Sequence, residues 1–138
     1  MVANTAPIFS KAARADWAAA AVVAANTAKD GTGTVTTVFT AGATDGSFVQ
    51  KIVIRPLGTN VATVMRVFLN NGATNATPAN NTMIAAIGLP ATTVSETTAQ
   101  IGVEFPLNLP IPATDRLFVT LGTAVAAGFA VTVFGGDY

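Results

Sequence analysis

The stretch GSFVQKIVIRPLGTNVATVMRVFLNNG, residues 46–72, decides how this chain folds. Val, Ile, Thr and Phe fill two arms, and such β-branched and aromatic side chains suit a pleated, half-buried surface. The first arm ends at Pro56 in a Pro-Leu-Gly-Thr-Asn turn, the second at Asn70-Asn71-Gly72. Three cations set the parity. With Lys51 and Arg55 outward, Phe48, Ile52 and Ile54 face inward; with Arg66 outward, Val61, Met65, Val67 and Leu69 do. Val49, Val53, Val64 and Phe68 are then left on the outer faces, where a free-standing domain carries polar groups. These four, with Ile8 and Phe9 near the N-terminus, are the candidate protein-interface residues.

Closing the two arms as a hairpin sets Lys51 or Arg55 opposite Arg66, and like charges directly opposite are destabilising. Placing the arms in opposite sheets removes the conflict and lets Glu104 come beside Lys51 and Arg55. Outward from this pair, six more strands are expected. Residues 17–25 are ambiguous, since the alanines favour a helix whereas Trp17, Val22 and Val23 suit a strand; strand is the reading taken because everything after it is β. Residues 34–40, 82–88, 99–108, 115–121 and 127–134 complete the set. In 99–108 the alternation is cleanest, with Ile101, Val103, Phe105 and Leu107 on the inner face and Pro106 marking an end or a bulge. The predicted fold is all-β: an eight-stranded antiparallel sandwich, jelly-roll-like, with an extended N-terminal arm. The expected sheets are strands 1, 8, 3, 6 and 2, 7, 4, 5. Residues 1–16 form the arm and 17–138 a single β-sandwich domain.

Composition narrows the function. Only 10% of the 138 residues are charged and the net charge is zero, against about 25% charged in ordinary soluble domains. Hydrophobic residues reach 51% and mean hydropathy +0.54, yet no run approaches the ~20 apolar residues of a membrane-spanning helix. No Cys or His is present, which excludes disulfides, thiolate metal sites and imidazole bases. Residues 11–28 have the basic start and small-residue end of a signal peptide, but Asp16 and the polar lead argue against one.

Motifs for chemistry are weak. Gly31-Thr32-Gly33 lacks the third glycine and the helix of a dinucleotide site, and no P-loop is present. Asp30, Asp45 and Asp137 flank glycines but fit no calcium-loop spacing, so they read as turn residues. Glu96 and Glu104 form no evident glycosidase pair, and Ser10, Ser47 and Ser95 have no His to activate them. Asn75-Ala76-Thr77 and Asn80-Asn81-Thr82 match glycosylation acceptors but read as solvated loop. Three cations on a neutral chain make a poor phosphate surface; a solvated face, or salt bridges of Lys51, Arg55 and Arg66 with Glu104 and Asp115, is expected instead. No catalytic, cofactor-binding or metal site is therefore expected, and neither nucleic acid nor membrane as partner.

The phrases NTAKDGTGTVTTVFTAG (residues 26–42), PLGTNVATVMRVFLNNG (residues 56–72) and the closing GGDY resemble tailed-bacteriophage capsid decoration, or cement, proteins. The resemblance covers roughly half the chain and carries over no functional residue singly. It implies a jelly-roll-like fold, a symmetric homo-oligomer (dimer or trimer), location on the virion capsid surface after synthesis in the host cytoplasm, and the major capsid protein as partner. A receptor- or carbohydrate-binding module, or a tail or filament subunit, is the alternative.

Overall fold

The computed structural model of the chain describes residues 10–138. Its strands are β1 (Ala12–Trp17), β2 (Thr36–Thr40), β3 (Ser47–Pro56), β4 (Thr63–Asn70), β5 (Asn81–Leu89), β6 (Val103–Ile111), β7 (Arg116–Leu121) and β8 (Phe129–Asp137). They form two four-stranded antiparallel sheets, ordered β1-β8-β3-β6 and β2-β7-β4-β5. That is the expected jelly-roll order. Consecutive β3 and β4 lie in opposite sheets, so Arg66 has the small Ala86 and Thr120 as its ladder neighbours rather than a cation. Alternate residues of the central strands meet between the sheets: Ile52 and Ile54 of β3 with Val131 and Val133 of β8 on one side, Met65 and Val67 of β4 with Leu117, Val119 and Leu121 of β7 on the other.

The crossing from β3 to β4 is fastened by a buried polar side chain. Asn60 accepts from the backbone N–H groups of Ala127 (3.0 Å) and Gly128 (2.8 Å) and donates to the Gly128 carbonyl (3.0 Å). Its own backbone pairs with Thr92 in both directions. A buried amide is tolerated only when satisfied in this way.

Three expectations are corrected. First, β1 occupies Ala12–Trp17, so the end of the expected arm is a strand, while residues 18–25 are irregular apart from single bridges at Val22 and Ala25. The alternation in β1 is carried by inward Arg14 and Asp16 between exposed alanines, not by apolar side chains. Second, Val49 faces the core. Against β8 the ladder shifts between Val49 and Lys51, and the extra residue, Gln50, reverses the parity on its N-terminal side. Opposite it stands Gly135, where a Cβ would overlap the Phe48 carbonyl oxygen. Third, Val61 and Ile101 lie ahead of their strands and are exposed, Ile101 almost completely (94%). At Pro106 the second of the two expected outcomes holds: the strand bulges there rather than ending, since two β6 residues, Leu107 and Asn108, stand against Gln50 alone between the Lys51–Pro106 and Val49–Leu109 pairs. β6 then continues through Pro110, because it pairs only with β3 and an edge strand tolerates a missing donor on its free side.

Phe129 is fully buried between the sheets, whereas Glu104 is about half exposed. Phe129→Ala is expected to cost about 3–5 kcal/mol through lost burial and the cavity left, and Glu104→Ala under about 1 kcal/mol. Urea denaturation midpoints of the two variants check this; equal midpoints contradict the assigned parity.

Candidate protein-docking site

The two sheets treat their outer faces differently. On β2-β7-β4-β5 the outward positions include Arg66, Phe68 and Asn70 of β4 and Arg116, Phe118 and Thr120 of β7. Phe68 and Phe118 are ladder partners, and both are closed to water. The chain's own loops cover them. Arg66 donates to the Asn26 carbonyl (3.4 Å), and Arg116, 5.3 Å above the Phe118 ring, reaches Asn70 (3.0 Å) and the Ala73 carbonyl. The two loops are then laced together by side-chain amides. Asn75 donates to the carbonyls of Gly31 (3.2 Å) and Gly33 (2.9 Å), and Asn81 to those of Asp30 (3.1 Å) and Asn75 (2.9 Å). Under this cover the Thr120 hydroxyl is buried without a partner among the described residues.

On β1-β8-β3-β6 the outer face has no such cover in the described residues. Its rows run Ala15–Phe134–Lys51 and Trp17–Thr132–Val53–Glu104, with Ala130 beside Arg55. Trp17 is 67% exposed and Phe134 37%, and Leu57 at the margin is 53% exposed. Val53 is buried among its neighbours. The half of the face toward β1 is apolar. The half toward β6 carries the expected ion pairs, Lys51 Nζ to Glu104 Oε2 at 3.1 Å and, more loosely, Arg55 to Glu104 at 4.0 Å. Two shallow clefts flank Trp17. One of about 240 Å³ is lined by Ala18–21, Leu57 and Ala130, and one of about 380 Å³ lies between the β1 and β2 edges.

Of the six candidate interface residues, Val49 is core, and Phe68 and Val53 face outward but are buried within this chain. Val64 is exposed, on the opposite sheet from Trp17. Ile8 and Phe9 lie outside the described residues. Trp17, Leu57 and Phe134 were missed; the exposed Trp in a weakly patterned stretch was the one available signal.

The polar residues are structural. Ser47 donates to Asp137, which also takes Arg14 at 2.9 Å; Arg14 in turn pairs with Asp16 and lies 4.4 Å over the Phe39 ring. Asp30 caps its turn by accepting from the N–H (3.0 Å) and hydroxyl (2.7 Å) of Thr32, which hold its carboxyl below the usual range. Of the expected salt bridges only those to Glu104 form: Arg66 serves the Asn26 carbonyl, and burial raises the Asp115 carboxyl. Both possible glycan acceptors have committed amides, Asn75 as above and Asn80 to the Thr74 carbonyl (2.8 Å). Among the described residues no three His, Cys, Asp or Glu side chains gather, and no helix is long and apolar enough to cross a membrane. Set against known proteins, the chain matches no protein-family model, no curated protein and no solved structure.

The Ser47 hydrogen bond and the Arg14 contact hold the Asp137 carboxyl below the ordinary carboxylate value. Its folded pKa is thus lower than its unfolded one, near 3.9. The resulting stability is present above that value and lost as pH falls through the folded pKa. The Tm advantage of wild type over Asp137→Asn is therefore expected to be constant above about pH 5 and to shrink below about pH 4. Thermal melts from pH 7 to pH 2 measure it; a difference that grows toward acid contradicts the assignment.

Proposed function

We propose that this chain is a non-enzymatic structural protein of a tailed-phage virion, a decoration or cement protein that docks on the outside of the head and stabilises contacts between major capsid subunits. The observation that carries the reading is the outer face of β1-β8-β3-β6, which among the described residues is bare and presents Trp17, Leu57 and Phe134, while the opposite sheet covers its own aromatics with loops. Exposed large apolar side chains gathered on one face, Phe134 one ladder row from Trp17 and Leu57 sharing a cleft with Trp17, are the kind of surface that marks an interaction site. The sequence resemblance supplies the partner. The reading includes no cofactor, nucleic acid or membrane.

Attachment in this reading is apolar. With zero net charge, steering by long-range fields is weak, and burial contributes about 25 cal/mol per Å² before ordering costs. Ile8 and Phe9 of the N-terminal segment add to the contact. A glycan-binding module needs several aromatics and polar groups converging on one concavity. The larger cleft beside Trp17 offers only that ring, because Phe39 is buried beneath Arg14.

The test is co-sedimentation with capsids stripped of surface proteins. Wild type is expected to stay attached in 1 M NaCl, where the screening length is about 3 Å. The double variant Leu57→Asp/Phe134→Asp is expected to keep its circular dichroism and lose attachment by about tenfold or more. Deletion of residues 2–9 weakens attachment while the β-domain stays folded. Release of wild type by salt, or undiminished sedimentation of the double variant, refutes the reading.

A further inference from the structure

Four strands lie at sheet edges: β1 and β6 in one sheet, β2 and β5 in the other. Unpaired edges invite pairing with another chain, and proteins blunt them with prolines, bulges or short length. Three of these edges are blunted. β6 carries Pro106, Pro110 and Asn108 at positive φ. β2 bulges at Val38, where its register with β7 shifts. β5 bulges at Ile84, where its register with β4 shifts. Among the described residues β1 has neither proline, bulge nor covering loop, and the inward charges it carries, Arg14 and Asp16, are neutralised by pairing with each other. Its register with β8 is unbroken from Ala12 to Trp17, it contains no proline, and Ala12, Ala13 and Ala15 leave room for a second backbone.

The free groups of β1 can be assigned. In an antiparallel ladder, residues alternate between those bonded to the neighbour and those turned away. Ala18, continuing the β1–β8 register, donates its N–H to the Val131 carbonyl at 3.0 Å. The even-numbered residues of β1 therefore bond to β8, and Ala13, Ala15 and Trp17 turn their N–H and C=O groups to an edge that no described residue pairs with.

We infer that β1 pairs with β1 of a second copy, antiparallel about a two-fold axis through Ala15, joining two four-stranded sheets into one of eight. The side chains select this register. With Ala15 opposite Ala15, all three residues with free backbone groups meet one another, because Ala13 faces Trp17 in both directions. Arg14 of each copy then faces Asp16 of the other, so the charge pair already present within one chain is matched across the axis. A slip by two in one direction sets Arg14 against Arg14, and in the other Asp16 against Asp16; like charges directly opposite disfavour both. Slips by one place inward side chains opposite outward ones. Each Trp17 indole falls beside the small Ala13 of the other copy. The 380 Å³ cleft between β1 and β2 borders this axis, and Asp16 lines it.

The assignment stands apart from capsid docking, and its test uses the purified full chain alone. Sedimentation equilibrium is expected to give a dimer, with amide exchange at Ala13, Ala15 and Trp17 slowing as protein concentration rises. Ala15→Pro removes a donor on the free side only, and Ala15→Lys sets two ammonium groups across the axis on an exposed position. Each is expected to raise the dimer dissociation constant by about 100-fold or more with the β circular dichroism retained. If one of the two fails to fold, the other still decides. A monomer at about 100 µM, an assembly of odd order, or a dimer that persists in the folded variants overturns the inference.

Discussion

A pair of strands cannot hide its apolar residues alone, because an isolated two-stranded ribbon leaves both faces to water. The alternating apolar residues of β3 and β4 must therefore be covered by a second layer, and here each strand belongs to the layer that covers the other. Ile52 and Ile54 project into the core from one side and Met65 and Val67 from the other. Once the chain crosses between layers at Asn60, each later strand is committed to one of the two. β6 and β8 flank β3, and β5 and β7 connect to β4. Asn60 matters because the crossing carries backbone groups away from any ladder. Its side chain supplies the partners that Ala127 and Gly128 would otherwise lack.

With the core satisfied, the outer faces are free to differ, and it is on their difference that the proposed docking role rests. Covering Phe68 and Phe118 takes two loops, two arginines and several asparagine side chains. Ordering such loops costs conformational entropy of about 1–2 kcal/mol per residue. That the chain orders two loops over one face and none over the other, among its described residues, makes the exposure of Trp17 and Phe134 hard to read as incidental. The Lys51–Glu104 pair on the same face does not compensate, since exposed ion pairs contribute little. It does keep the β6 side of the face solvated, which confines the apolar ground to the half nearest β1.

The topology was legible in the sequence because it follows from quantities a sequence carries directly: the parity of Lys51, Arg55 and Arg66, and the repulsion that a hairpin would have set between them. The interface residues were less legible, for three physical reasons. A bulge is a local insertion with no compositional mark, so Gln50 turned Val49 inward unannounced. Cover by a distant loop is a tertiary event, so Phe68 had the right parity and the wrong exposure. Finally, β1 alternates through Arg14 and Asp16, which a search for apolar periodicity passes over in favour of the alanine run beside it.

Edge and face also act together. The axis relating two antiparallel strands that pair through Ala15 is normal to the sheet, so it turns neither sheet over. Both bare faces, each with its own Trp17 and Phe134, would look the same way, one on each side of the junction. Under the proposed capsid-docking role, a dimer of this kind would meet the shell with two docking faces held at fixed separation. The second contact then forms at the effective concentration set by the first, and modest affinity at each face multiplies into firm attachment without any new contact. Small apolar faces of this sort gain most from such pairing, because the translational cost of association is met once for the two. On that reading the unblunted edge borders the face left uncovered among the described residues because an edge that joined copies would extend the surface that docks, whereas β5 and β2, bulged and beside a loop-covered face, would have nothing to extend.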